Sequence, residues 1–460
     1  MGTPNVRLSA WMTCYGYTNT SLARTVRAIA PVRGHHQVAP DARRVHDWRN
    51  GAHPRPPVPD LLCEIFTQHA GRPVTAADLG LAAADVAAPP GSPWASASTI
   101  EELIHLSRSD LMLGPSTSPP ATPEGSDAIL TGTQLLQALQ PWLIGGPATI
   151  SGPGRIPRTV GMRDVEQLRE VTEHFRLLDN RTGGALAREA IIGQLGAVTR
   201  LLNEASYTES VGRALFAAAG DLATVAGWTS HDVGLHTHAQ HYLMLALRAA
   251  KEAGDRALGA HALNCLARQA NHLKRPADAL NLVQLALYGV GQAATPTMTA
   301  MLHALEARSY AQMGRLREFD RAAGLAADDF AHSSPETDPP WVAFFDAPEC
   351  DATLGVCHAI AACHQPHHAD TAITMIADAA ARRPPERARS RAFDHIALGR
   401  AYLGAGHLDE AAAATETALG LLCEVASTRV RDRLGELYAE TAPYAVEPVI
   451  AELRERITAA

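Results

Sequence analysis

Two clusters along the chain have the residue types of a metal site. His236-x-His238-x2-His241 follows His231-Asp232 and puts three imidazoles within six residues. On a helix, 238 and 241 share a face at i, i+3, whereas 236 lies about 150° away from both. The run therefore offers two zinc ligands and lacks a third, and no H-E-x-x-H arrangement is present. The second cluster is Cys357-His358-x4-Cys363-His364-x2-His367-His368. Cys363 and His367 are i, i+4, with Cys357 six residues earlier, a plausible soft-ligand set. Pro366 interrupts that helix, and the spacing fits no zinc finger. Both clusters read more simply as side chains on and between helices, so neither metal nor cofactor is expected. A nucleophilic enzyme needs a Ser or Cys beside a base with an oxyanion donor. No G-x-S-x-G, kinase, Walker or Rossmann run appears. The glycine-rich stretch GGPATISGPG at 145–154 follows no strand and opens no helix, so it is not a phosphate loop. Catalysis is not expected.

Arginine carries the other chemistry. Residues 1–60 hold eight arginines (7, 24, 27, 33, 43, 44, 49, 55) against three aspartates (41, 47, 60). That segment is +5, and since the whole chain is −8, the remaining 400 residues carry −13. The net charge alone argues against nucleic acid, but a basic block on an acidic body is the asymmetry of one small domain meeting phosphate. Farther along, Asn264, Arg268 and Asn271 are spaced i, i+4, i+7 on one helical stripe, and Gln240, Tyr242 and Arg308 could extend it. Amides suit a peptide backbone and arginine suits a carboxylate, so these six residues are the candidates for holding an effector. The plainer alternative is a solvated helix face.

These residues must be positioned mostly by helices. The chain has 460 residues, enough for about two to four domains with real cores. Aromatic residues make up 5%, and alanine, the best helix former, is abundant. The expected fold class is all-α. No run reaches about 18 consecutive apolar residues, so no membrane span is expected. The first twenty residues lack a basic start followed by an apolar core, so no secretory signal is visible. Seven scattered cysteines, an odd number, argue against a disulfide framework and for a reducing cytoplasm. Only two lysines stand beside 38 arginines, a usage typical of GC-rich genomes rather than of any function.

Three domains are expected: 1–87, a Pro/Gly-rich connecting region 88–161, and a helical array 162–460. In the first, Thr18 can cap a helix over Asn19–Ala30, with Leu22, Ala23, Val26 and Ile29 on one face. A polar insert, 31–38, leads to a short helix, Asp41–Arg49, whose apolar face is Ala42, Val45 and Trp48. A Pro-rich turn then precedes a helix carrying Leu61, Leu62, Ile65 and Phe66. Segments 88–98 and 114–128 read as Pro/Ser-rich linkers around an amphipathic helix, Thr99–Met112. A short helix, Gln134–Leu143, follows.

Thr18-x3-Leu22-Ala23-x2-Val26, followed by Val45-x2-Trp48-Arg49-Asn50-Gly51-x2-Pro54, resembles the Cro-type, lambda-repressor-like helix-turn-helix. The residues after Pro54 resemble that family's closing helices. The resemblance places Ala42, Arg43, Arg44 and Asp47 on a recognition helix in the major groove, where arginine bonds guanine O6 and N7. Arg24, Arg27 and Arg49 would contact phosphates, which position a domain without reading sequence. One departure is clear: the connection before the recognition helix is about ten residues longer than in the family.

From Met162 onward helix follows helix, and each pair spans about 34–40 residues, which is repeat spacing. Val165–Leu178, Leu186–Leu202, Ser210–Ala226 and Leu235–Ala253 are the first four. Leu398, Gly399, Ala401, Tyr402, Gly406, Ala411, Ala412, Ala418 and Leu419 resemble a tetratricopeptide repeat, in which small residues let two helices approach closely. Weaker units surround Gly227-Trp228, Leu266-Ala267 and Tyr310-Ala311. The combination resembles actinobacterial helix-turn-helix regulators beside secondary-metabolism and differentiation genes, and peptide-sensing helix-turn-helix/repeat regulators. It implies a cytoplasmic homodimer on double-stranded DNA, with a peptide, small molecule or protein effector on the array and no membrane partner. The alternative is a protein-interaction scaffold with a vestigial helix-turn-helix.

Overall fold

A computed structural model describes residues 4–81 (except 34, 53, 56, 71–73 and 75–77), 94, 96–112, 129–143, 150, 152–154, 156, 158–184, and 187–459 (except 423, 424 and 426). Among these, all regular structure is helical; the β pairing is one isolated parallel bridge, Thr159 with Ser206. The chain divides into two compact units, 1–89 with 108–116, and 90–107 with 117–460. The expected linker 114–128, most of 88–98, and most of the glycine-rich stretch lie outside the described residues, and residues 96–98 of the second segment are helical.

In the smaller unit, α1 (Val6–Cys14), α2 (Asn19–Val32), α3 (Ala42–Arg49) and α4 (Val58–Ala70) surround one core. Thr18 caps α2, and Ser21 returns the bond to the Thr18 backbone. Asp41 caps α3 by accepting from the Arg44 amide at 2.8 Å. Leu22, Ala23 and Val26 of α2 and Val45 and Trp48 of α3 are buried, as their spacing predicts. The first helix was not legible in the apolar pattern, although Leu8, Trp11 and Met12 are buried. Asn5 caps it and also donates to the Leu79 and Gly80 carbonyls at 3.0 and 2.9 Å. One short side chain thus ties the start of α1 to the closing turn of the unit.

The larger unit begins with residues 96–107 of α5 (Ser96–Met112), whose Ile100 and Leu103 enter its core. Then come α6 (Gly132–Leu139) and a 3-10 turn, Gln140–Trp142. The predicted helix 134–143 therefore starts earlier and tightens at Pro141, which lacks the N–H an α-helix needs. Leu135, Leu139 and Trp142 are core residues of the array rather than parts of a free connection.

The array runs α7 (Met162–Thr182), α8 (Arg188–Glu204), α9 (Glu209–Asp232), α10 (His236–Ala253), α11 (Arg256–His272), α12 (Pro276–Val290), α13 (Pro296–Gln312), α14 (Leu316–Ala331), α15 (Ala347–Ala362), α16 (His368–Arg382), α17 (Ala388–Ala405), α18 (Leu408–Leu421), α19 (Thr428–Glu440) and α20 (Pro448–Ala459). The strongest packing joins α9 to α10, α11 to α12, α13 to α14, α15 to α16 and α17 to α18. The first helix of each pair also touches the first helix of the next, so α9, α11, α13, α15, α17 and α19 form one layer. Glycine permits the closest approaches. A Cβ on Gly227 of α9 would stand 2.7 Å from Leu243, and one on Gly399 of α17 would stand 2.6 Å from the Thr415 hydroxyl. Helix α7 packs on both α9 and α17, so the inner layer meets across a long span of sequence.

Candidate nucleic-acid interface and interior chamber

In the smaller unit, burial of Val45 and Trp48 turns the other side of α3 outward. Arg43, Arg44 and Asp47 are exposed, and Ala42 is half-buried at the helix start. Arg24 and Arg27 are exposed on α2. These four arginines make no hydrogen bond or ion pair among the described residues, so their charge is directed at solvent. By contrast, Arg33 is spent on a bidentate pair with Glu64, including a 2.8 Å bond from Nε. Arg49 departs from the expected phosphate contact. Its Nε donates to Ser9 Oγ and its Nη1 to Asn19 Oδ1, both at 3.1 Å, and its carbonyl accepts from the Asn5 amide at 2.7 Å. Arg49 is a brace among α1, α2 and α3, because the end of α3 lands against both neighbours. The insert before α3 spans 33–41 and is held by half-buried Val38 and buried Pro40.

In the larger unit, the inner layer lines a partly open cavity of about 210 Å³ adjoining a second of about 160 Å³. Both lobes are lined by Arg268, Glu349, Ser390, Phe393 and Arg429. Of the six predicted effector residues, four meet here. Asn264 and Arg268 line the first lobe; Arg268, Asn271 and Arg308 line the second. Gln240 and Tyr242 do not. They stand on α10, the second helix of its pair, which faces away from the inner layer. The Gln240 amide bonds the Leu130 N–H at 2.7 Å and carbonyl at 2.9 Å, and Tyr242 is fully buried in the apolar core. Both are corrections to the predicted site, and both residues hold the fold together.

The chamber walls are rich in arginine, most of it neutralised. Arg389 pairs with Asp179 and Asp232, Arg383 with Glu349 and Asp394, Arg400 with Glu436 and Glu440, and Arg387 with Asp346. Arg268 and Arg308 differ. Neither makes a hydrogen bond or ion pair among the described residues, and Arg268 Nε and Nη2 and Arg308 Nε are shut off from water. Burial, with the cations of Arg433, Arg268 and Arg400 nearby, pulls the Arg308 guanidinium down to about 9. Arg429 reaches Asp232 at 3.3 Å, but Arg389 shares that carboxylate, and burial draws Arg429 down to about 10. Asn264 is fully buried, and its amide N and O meet no hydrogen-bond partner of ordinary geometry. The neighbouring Cys265 thiol is pushed up to about 12 by burial and stays protonated.

Aromatic rings complete the first lobe. Arg429 lies 4.6 Å from the Trp228 ring centroid and 5.0 Å from that of Phe393; Arg268 lies 5.4 Å from that of Phe344. His261 stacks on Trp341 at 4.2 Å, and burial lowers its basicity. Sequence reasoning missed Trp228, Phe344, Phe393 and Arg429 as chamber residues. Trp228, Phe393 and Arg429 belong to the inner layer and Phe344 to the turn just before α15, a grouping that appears only when the pairing of helices is known.

The histidine and cysteine clusters resolve into packing. His231 and His236 place their Nδ1 atoms 3.3 Å apart, and His272 packs against both rings. The Cys357 thiol points to the Ala304 carbonyl and is pushed up to about 12 by burial, while Cys363 is exposed and points to the Ala359 carbonyl. His358 and His368 pack on Phe319. Among the described residues, no three His, Cys, Asp or Glu side chains are grouped as metal ligands. Among the described residues, no helix is long and apolar enough to cross a membrane.

No curated protein matches the chain. Over residues 8–82 it is similar to the SP15 N-terminal domain family, whose model matches that segment. The matched segment contains α2, α3 and α4 whole, and with them Arg24, Arg27, Arg43 and Arg44.

Proposed function

We propose that the protein is a DNA-binding transcription regulator whose helical array is an effector domain. The observation that carries the reading is the outward face of α2 and α3: four exposed arginines without internal partners, on helices fixed beneath by Leu22, Val26, Val45 and Trp48. Charge left unpaired on one face of a small domain fits a phosphate backbone. An exposed, capped short helix bearing Arg43 and Arg44 fits insertion into a major groove. The helix-turn-helix resemblance supports the same assignment. The array's paired helices, with glycine at the close approaches, are consistent with tetratricopeptide-like repeats, and its interior chamber is suited to an effector. Such a ligand would shift the population between binding-competent and incompetent arrangements, and a homodimer would present two recognition helices to a two-fold site.

The test is selection of bound fragments from a random duplex pool, with full-length protein at about 0.15 M salt, where non-specific phosphate binding is weakened. The expected result is an enriched motif that is lost on Arg43→Ala combined with Arg44→Ala. Absence of any enriched motif, with and without the chamber occupied, overturns the reading and leaves an interaction scaffold.

A further inference from the structure

An interior cation without a counterion is costly, because the charge leaves water and gains no partner. The larger unit contains two half-buried arginines whose buried guanidinium nitrogens meet no partner, Arg268 on α11 and Arg308 on α13, lining the same lobe. Every other arginine lining the two lobes reaches a carboxylate. Asn264, fully buried beside Arg268 with both amide atoms unpartnered, adds a donor and an acceptor facing the adjoining lobe. That lobe is walled by Trp228, Phe344 and Phe393. A cavity of about 150 Å³ is known to hold a benzene ring, so about 210 Å³ takes a single-ring body.

We propose that the chamber binds a small organic anion, with its carboxylate or phosphate between Arg268 and Arg308 and its planar apolar body against Trp228 and Phe393. The inference rests on the array being the effector domain and specifies what that effector is. Arginine suits this role because its planar fork meets either head group with two parallel bonds. The aromatic walls already hold the Arg268 and Arg429 guanidinium groups in place, so little side-chain ordering remains to be done on binding. The size of the lobes favours a small molecule over an extended peptide.

The experiment measures the melting temperature of dialysed full-length protein with millimolar phenyl phosphate, phenylacetate, neutral phenylacetamide, or sodium chloride at matched ionic strength. The first two arms separate a phosphate from a carboxylate head. The expected result is a concentration-dependent rise with at least one organic anion, and none with the amide or chloride. Arg268→Met and Arg308→Met should each abolish that rise. Without ligand, Arg308→Met should melt no lower than the parent, because it removes an unpaired interior charge. The proposal is overturned by an equal rise with chloride, a rise that persists in both variants, or no response to either anion.

DNA affinity of the same samples is read separately. An anion response without DNA binding keeps the chamber and removes the regulator. DNA binding without an anion response does the reverse.

Discussion

Arg389 grips Asp179 across 210 residues of chain, with Nη1 to Oδ1 at 3.0 Å and Nη2 to Oδ2 at 2.8 Å, both side chains buried. Asp232 adds a third oxygen at 3.3 Å from Nη1. Burial alone would pull the Arg389 guanidinium down, but the two carboxylates outweigh it and hold it above its ordinary value. The pair joins α7 to α17 and so closes the inner layer around the chamber. Removing one partner leaves a buried charge unpaired, which costs about 3–5 kcal/mol. Arg389→Met should therefore lower the stability of the array strongly, and adding Asp179→Leu should recover part of the loss. Urea unfolding of the single and double variants measures this; equal stability of parent and single variant would remove the clamp.

Base reading and phosphate anchoring separate in the smaller unit. Arg43→Ala or Arg44→Ala should cost about 1–3 kcal/mol on the selected DNA sequence and little on unrelated duplex. Arg24→Ala and Arg27→Ala should weaken both equally and reduce the salt slope by about one each. Titrations of both duplexes over a salt series decide; loss of the same size on every sequence for Arg43 and Arg44 makes them phosphate contacts.

Arg49 makes a different prediction because it is a brace. Arg49→Ala removes two side-chain hydrogen bonds, each worth about 0.5–1.5 kcal/mol, and should lower the melting point of the smaller unit. Circular dichroism melting of the isolated change checks it. A variant that melts like the parent and only weakens DNA binding would return Arg49 to the phosphate face.

Acid should loosen the array. His231 is buried, and desolvation, with Arg429, His272, His236 and Arg433 nearby, holds it well below its ordinary value. His261 is lowered by burial and by Arg176 and Arg268; His272 is lowered by burial despite Asp432 beside it. Each is neutral in the fold and takes a proton more readily when unfolded. Between the lowered folded values and about 6.5, the unfolded state binds more protons, so stability falls as pH drops through that window. The melting temperature should be flat above about pH 7 and decline from 6.5 to 5. His231→Gln should flatten part of that decline, and an unchanged slope in this variant would exclude His231 as a contributor.

Trp142 reports on how the segment before the array is docked. It is fully buried and packs on Gly259 and Gly289, where an added Cβ would meet the indole. Gly289→Ala gains about 1 kcal/mol of helix propensity but overpacks the site by about 1–3 kcal/mol. The expected net effect is a lower melting point with a shift in tryptophan emission. Unchanged emission and a higher melting point would mean that the indole is not seated there.

Much of the helical layout is local, and local signals were enough to read it. Thr18 and Asp41 mark the starts of α2 and α3 because their side chains accept orphan amide protons. Leu22, Val26, Val45 and Trp48 mark buried faces because their spacing matches the helical period, which leaves Arg24, Arg27, Arg43 and Arg44 outside. The stripe of Asn264, Arg268 and Asn271 was visible for the same reason. What the sequence could not supply was partnership. Arg49 looked like its exposed neighbours until Ser9 and Asn19 were found beside it. Gln240 looked like Asn264 until α10 proved to be the outer helix of its pair. Arg268 and Arg389 are both inner-layer arginines, but only Arg389 finds carboxylates, 157 and 210 residues away in sequence. Helix period and capping act within a few residues, so sequence alone determines them. Whether a buried charge is paired depends on which distant helices pack together, and tertiary structure alone decides that.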